Sequence, residues 1–359
     1  MHRYCTEIAP LFSPADSDGF QQIQGLASPP PAKKGGRGGE SYGTSLGPAL
    51  ALALAVFGTL TVADARAAPA LPELTGTITR NAGTIGGWNR SYALYVPRDL
   101  KPGAPLLFMF HGGGGDGPLA RESTGREYDM LADRFGFVVV YPDGIGKSWT
   151  GCRKEQNRTS TRGKVDDIGF VEAIIAQEVA THGIDRSRVF ATGHSMGGQF
   201  SYRLALERPH EFAAIAAVSS NLPTSDNMDC EPQNVAMPVL IMNGTADPVS
   251  PYNGGSNGRT TGKSMSSDDT AQYFAKLNGL ADMPATERLP HLDPSDRTSV
   301  DRMSWTAPGK PSVVLYRING GGHLVPQPYY RYPRVVGTMT EDVDAPTVIW
   351  EFFSKAPAR

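Results

Sequence analysis

The sequence predicts an α/β fold: a mostly parallel central sheet with antiparallel first strands and helices on both faces. Three observations predict it. Short, continuous apolar runs such as Pro105–Phe110 and Phe137–Tyr141 are the mark of strands buried on both faces. Stretches with helical spacing alternate with these runs, which implies parallel strands joined by crossovers. Only the strands around Arg90–Val96 lack an intervening helix, so the sheet should begin antiparallel.

Thr75–Thr79 opens the folded region. Gly83, Gly86 and Gly87 read as a turn into Arg90–Val96, which alternates and stops at Pro97. Pro105–Phe110 is followed by a loop with five glycines, then a helical stretch from about Arg126 to Phe135. The strand Phe137–Tyr141 ends at Pro142-Asp143-Gly144, and residues 144–165 are polar and irregular. Asp167–Thr181 places Phe170, Ile174, Ile175 and Val179 at helical spacing. Val189–Thr192 reads as a strand and residues 196–207 as a helix stopped by Pro209. Ala213–Val218 and Val239–Asn243 are the next buried strands. Residues 253–269 are loop-like, and Thr270–Asn278 is a short helix. Ser299–Trp305 and Ser312–Ile318 are strands. Asp344–Ser354 closes the chain as a helix, with Val348, Ile349, Phe352 and Phe353 facing inward. With no internal repeat and no appended module, residues 68–359 read as one domain.

The first 67 residues read as a leader. The apolar run Ala49–Ala63 is 15 residues long, short of the roughly 20 that a membrane span needs. Lys33, Lys34 and Arg37 precede it, and Ala65-Arg66-Ala67 follows with the small-x-small pattern of a signal-peptidase site. A secreted or periplasmic product with no membrane span is expected. The chain's net charge of -2 argues against a dedicated nucleic-acid binder. Cys152 and Cys230 remain after removal of the leader, an even pair in an oxidising compartment, and are expected to form a disulfide. Neither sits in a metal-ligand spacing, and no metal or cofactor is implied.

The chemistry centres on Gly193-His194-Ser195-Met196-Gly197, a G-x-S-x-G between a strand and a helix. A sharp turn there needs glycines beside the serine and lifts its hydroxyl above the sheet. A serine needs a base to take its proton. His323 follows a strand and Gly320-Gly321-Gly322, at a strand's carboxyl end, where such sheets keep their sites. His210 is too near the serine in sequence, and His291 lies in a Pro-flanked polar loop. Asp247 follows the strand Val239–Asn243 and is the candidate acid, with Asp226 and Asp229 as rivals no clear strand delivers. Met196 N–H and a glycine N–H near Gly113, in His111-Gly112-Gly113-Gly114-Gly115, supply an oxyanion hole.

With these residues in place the chain resembles the alpha/beta-hydrolase superfamily. More narrowly it is similar to secreted esterases that group poly(3-hydroxybutyrate) depolymerase-like proteins with feruloyl and acetylxylan esterases of carbohydrate esterase family one. The motifs are Arg90–Pro97, His111–Gly115, Tyr141-Pro142-Asp143-Gly144 with Trp149, Val165–Phe170, Gly193–Gly198, Asn243–Tyr252 with Gly254 and Gly255, and Gly320–His323. The resemblance implies a serine ester hydrolase acting on small or oligomeric esters, of plant cell-wall or hydroxyalkanoate origin, with Ser195, Asp247 and His323 as its triad. Leu324-Val325-Pro326 stands where relatives often carry a tryptophan, and no polymer-binding module follows, which argues against a solid polymer. Trp149, Tyr329 and Tyr330 are candidate substrate contacts. An acyltransferase, a peptidase of the same superfamily and a non-catalytic binding protein remain as alternatives. The sequence does not name the acyl group, the alcohol or the oligomeric state.

Overall fold

The computed structural model describes residues 11–14, 69–154, 164–256 and 262–359. The apolar run 49–63 and the proposed cleavage site lie outside the described residues, as do 155–163 and 257–261 of the two polar loops.

The strands are β1 (Ser13–Pro14), β2 (Thr77–Ile85), β3 (Trp88–Val96), β4 (Leu106–Phe110), β5 (Val138–Pro142), β6 (Val189–His194), β7 (Ala214–Val218), β8 (Val239–Gly244), β9 (Ala285–Arg288), β10 (Ser299–Trp305) and β11 (Val313–Asn319). The helices are α1 (Gly117–Ser123), α2 (Glu127–Phe135), α3 (Asp167–His182), α4 (Met196–Glu207), α5 (Ser267–Leu277) and α6 (Ala345–Ser354). Among the described residues the strands form one sheet in the order β1-β2-β3-β5-β4-β6-β7-β8-β11-β10-β9. Pairing is parallel from β5 across to β11 and antiparallel from β1 to β5, as the missing early crossover predicts. The far edge, β11-β10-β9, is also antiparallel.

Helices cover both faces. Phe170 on α3, Phe200 on α4 and Phe274 on α5 join one core cluster. Leu131 on α2 and Ile349 and Phe353 on α6 join the other. The central strands β4, β5, β7 and β8 are buried at every position, which is why they read as unbroken apolar runs. Several sequence expectations shift. Gly83 lies inside β2 rather than in the turn, which is made by Gly86 and Gly87. On α6 the inward residues are Ile349, Trp350 and Phe353, while Val348 and Phe352 are half-buried. Helix α5 starts at Ser267, capped by the Ser266 side chain on Asp269 N–H, three residues before the expected start. Four residues of the segment read as leader are ordered against the sheet. Ser13 and Pro14 pair with Ala82 and Asn81, and the buried Phe12 ring lies 5.1 Å from Tyr92.

Two helix N-termini meet in the second core. Glu127 opens α2, Asp344 caps α6, and burial together with the Asp344 charge pushes the Glu127 carboxyl up to about 10. Glu127 Oε2 and Asp344 Oδ1 are buried with no other partner, as one shared proton requires. The folded chain therefore keeps a proton on Glu127 that the unfolded chain releases above about pH 4.5. The associated stability is complete below that value and is lost as the pH climbs toward 10. Glu127→Gln keeps a donor toward Asp344 and cannot ionise. Its Tm should match the parent's near pH 4 and exceed it by about 3 °C or more at pH 8, since even one pH unit of displacement is worth ~1.4 kcal/mol. Thermal melts at the two pH values check this, and the same Tm difference at both would dismiss the shared proton.

Candidate active site

Ser195 sits at the turn from β6 into α4 with φ 55 and ψ -114, in the left-handed half of φ space that a non-glycine residue rarely enters. The turn is this tight because glycines flank it. A Cβ on Gly197 would lie 2.2 Å from the Phe110 carbonyl oxygen, and one on Gly193 would lie 2.3 Å from the Gly197 carbonyl carbon. The Ser195 N–H donates to the Val218 carbonyl at 2.9 Å, which ties the turn to β7.

The loops after β8 and β11 are laced together. Ala246 N–H donates to Gly321 O at 2.9 Å, and Gly320 N–H donates to Thr245 Oγ1 at 2.8 Å. A Cβ on Gly244 would lie 2.2 Å from Gly321 O, so the approach depends on glycine. This lacing places His323 Nδ1 at 2.7 Å from Asp247 Oδ2, with the carboxylate side chain 1% exposed. Asp247 Oδ1 accepts from Val249 N–H and Ser250 N–H, each at 2.7 Å. With both oxygens committed, the carboxylate holds the imidazole proton on Nδ1 and leaves the Nε2 lone pair free. The His323 ring lies 4.8 Å from that of His194, the residue beside Ser195. Burial and the neighbouring His323 hold the His194 imidazole well below its usual pKa, so it stays uncharged. The rival residues are elsewhere: His210, Asp226 and Asp229 are exposed, and His291 pairs with Asp342 at 3.0 Å.

The glycine loop after β4 faces this elbow. A Cβ on Gly113 would lie 2.5 Å from Met196 Sδ, so the glycine loop packs against the Met196 side chain. Gly114 N–H donates to Lys147 O and Gly115 N–H to Gly112 O, so neither is available to a substrate. Met196 is the first residue of α4, and its N–H has no partner within the helix. His111 fixes the loop. Its Nε2 accepts from Gly144 N–H at 2.9 Å, so Nδ1 carries the proton and donates to Gly112 O at 2.7 Å. Burial also lowers the His111 pKa, consistent with this neutral tautomer.

Trp149, a candidate substrate contact, lies in the core. It is fully buried, its ring stacks 5.3 Å from Phe200, and its indole N–H donates to His111 O at 3.0 Å. It supports the glycine loop from below. Tyr329 and Tyr330 are half-buried in a turn that Gln327 organises, with Gln327 Oε1 accepting from both their N–H groups. Tyr332, in the same stretch, lies beside the elbow, its ring 6.3 Å from that of His194. Asp143 and Asp167 hold the segment between β5 and α3. Asp143 accepts from Ser91 Oγ and Gly117 N–H. Asp167 forms a buried ion pair with Arg90 at 2.8 Å and accepts from Thr150 N–H and Oγ1.

Cys152 and Cys230 are joined by a disulfide. It bolts the segment after β5 to the loop after β7 and closes a 78-residue separation. Loops of this length are worth about 4 kcal/mol in the chain-entropy estimate. The double variant Cys152→Ser/Cys230→Ser should lose about that much stability in urea titration. A loss below about 1 kcal/mol would mean that the segment holds its place without the bond.

A family model described as Esterase PHB depolymerase matches residues 90–289, more than half of the chain. The chain belongs to this family. It is a hydrolase acting on ester bonds. Relatives of this esterase family include NocK of Nocardia uniformis subsp. tsuyamanensis, named as an esterase, 30% identical over 74% of this chain and 79% of its own. A protein of Aspergillus niger named probable feruloyl esterase C is 30% identical over 78% of this chain and 88% of its own. An acetyl xylan esterase from Aspergillus awamori superposes with a TM-score of 0.51 at 18% identity, over 78% of this chain and 99% of that one. That likeness speaks for the alpha/beta-hydrolase fold alone.

Proposed function

We propose that this member of the esterase family works as a secreted serine hydrolase on soluble, oligomeric carboxylic esters of the feruloyl or 3-hydroxybutyryl kind. The observation that carries the proposal is the 2.7 Å contact between Asp247 and His323, held beside the strained Ser195 elbow. Ser195 Oγ bonds to the ester carbonyl carbon as its proton passes to His323 Nε2, and the carbonyl π pair moves onto oxygen. Met196 N–H and Gly113 N–H hold that oxyanion. Asp247 steadies the imidazolium. The carbon–oxygen bond to the alcohol breaks as His323 returns the proton to the leaving oxygen. Water then repeats the sequence on the acyl-serine, releasing the acid.

Export belongs to the same proposal. Cleavage after Ala67 would leave Leu11–Pro14 held by strand pairing to β2, by the Leu11 N–H bond to Gln177 Oε1 and by the Phe12 contacts with Tyr92 and Phe170. The intact mass of the exported protein reads out both. For the chemistry, purified protein is assayed on methyl ferulate, on an acetylated xylo-oligosaccharide and on a 3-hydroxybutyrate oligomer. Turnover is expected on the first or the third, with kcat/KM above ~10⁴ M⁻¹s⁻¹ on the preferred ester. Turnover of the acetylated sugar alone moves the substrate to acetylxylan, and silence on all three removes the proposal.

A further inference from the structure

Among the described residues three arginines are buried: Arg90, Arg121 and Arg153, at 3%, 8% and 5% exposure. Two have carboxylate partners, Asp167 for Arg90 and Asp129 for Arg121. Arg153 has none. Its Nε is buried without a hydrogen-bond partner, and burial alone acts on the guanidinium, lowering its pKa. The next residue, Lys154, by contrast reaches the Asp226 carbonyl at 3.2 Å. A buried cation without an anion is costly, and a fold that keeps one normally meets it with a ligand or a partner charge.

The place of Arg153 says which ligand. The segment leaving β5 passes the elbow at Ser148, whose Oγ lies 4.0 Å from Met196 Sδ. It is then pinned by Thr150 on Asp167 and by the Cys152–Cys230 bond. Arg153 bridges to Met228 of the loop after β7, directly beyond that bond. Four residues lie between it and Ser148, so the two Cα atoms are at most about 18 Å apart. The guanidinium thus sits on a strap pinned by Thr150 and by the disulfide, whose Ser148 end adjoins the elbow. Its planar fork matches a carboxylate.

We propose that Arg153 is a specificity-determining residue that binds a free carboxylate on the substrate, so that the site takes short hydroxyacid oligomers by their carboxyl end. This rests on the ester-hydrolase mechanism proposed above. The test compares 3-hydroxybutyrate dimer as its free acid with the methyl ester of the same dimer, which shares the internal ester bond. The parent should favour the acid by about tenfold or more in kcat/KM. Arg153→Met should erase that preference through KM on the acid, and Arg153→Lys should restore part of it. Arg153→Met should also melt no lower than the parent without ligand, because it removes an unpaired buried charge. A parent indifferent to the carboxylate, a preference that survives Arg153→Met, or a marked fall in Tm would each overturn the proposal. Should neither dimer turn over, the mechanism fails separately from the carboxylate site. Calorimetric titration of the dimer acid into parent and Arg153→Met then decides, with a tenfold weaker Kd in the variant expected and equal Kd values overturning it.

Discussion

Ser195→Ala is expected to lower kcat by at least ~10⁴-fold on whichever ester the parent hydrolyses, with little change in KM. The reason is the loss of the hydroxyl from the position that the elbow gives it. The elbow turns Ser195 to φ 55 between two glycines whose missing Cβ atoms make room for the Phe110 carbonyl and for the turn itself. Alanine keeps the Cβ, and the Ser195 N–H bond to Val218 O does not involve the side chain, so the fold should be untouched. The proposed oxyanion donors also remain, because they are backbone groups. What disappears is the bond to the acyl carbon. Mass spectrometry of the parent quenched during turnover should show the acyl-serine on the peptide containing Ser195, and the variant should show none. Equal turnover by parent and Ser195→Ala would transfer the nucleophile elsewhere and end the serine mechanism.

The sequence made this centre legible because its parts sit at strand ends. Apolar runs locate β6, β8 and β11, and just beyond them stand Ser195, Asp247 after Thr245 and Ala246, and His323 after three glycines. What it left hidden depends on contacts distant in the chain. His111 looks like the head of a glycine loop, yet its role is set by Gly144, 33 residues on. Trp149 reads as a candidate substrate contact in an irregular segment, but it is fully buried against Phe110, Phe200 and the His111 carbonyl. The short α1 was missed because it begins Gly117-Pro118, which reads as a turn, although Asp116 caps it and proline suits the first helical turn. β9 was missed because all four of its residues are exposed, so it has no apolar face to show. Arg153 is the sharpest case. Nothing in the sequence around it distinguishes a buried, unpaired arginine from a solvated one.

Asp247→Asn separates orientation from mere packing. The parent carboxylate accepts on both oxygens: Oδ1 from Val249 N–H and Ser250 N–H, Oδ2 from His323 Nδ1. Asparagine keeps one acceptor, and the two backbone donors at 2.7 Å claim it. Its amide NH₂ then points at His323 Nδ1 and can only donate. The imidazole must accept there, which moves its proton to Nε2 and closes the lone pair that should receive the Ser195 proton. The expected loss is about 10⁴-fold in kcat near pH 7, with the fold retained. Asp247→Ala removes the backbone acceptor as well, so it should cost stability in addition to rate, by about 1–3 kcal/mol for the orphaned donors. Asp247→Asn should recover part of its rate at high pH, where hydroxide replaces the blocked base. If Asp247→Asn instead kept more than about a tenth of the parent rate at pH 7, the carboxylate would be a turn residue holding Val249 and Ser250. The base would then have to be oriented by something other than its 2.7 Å neighbour.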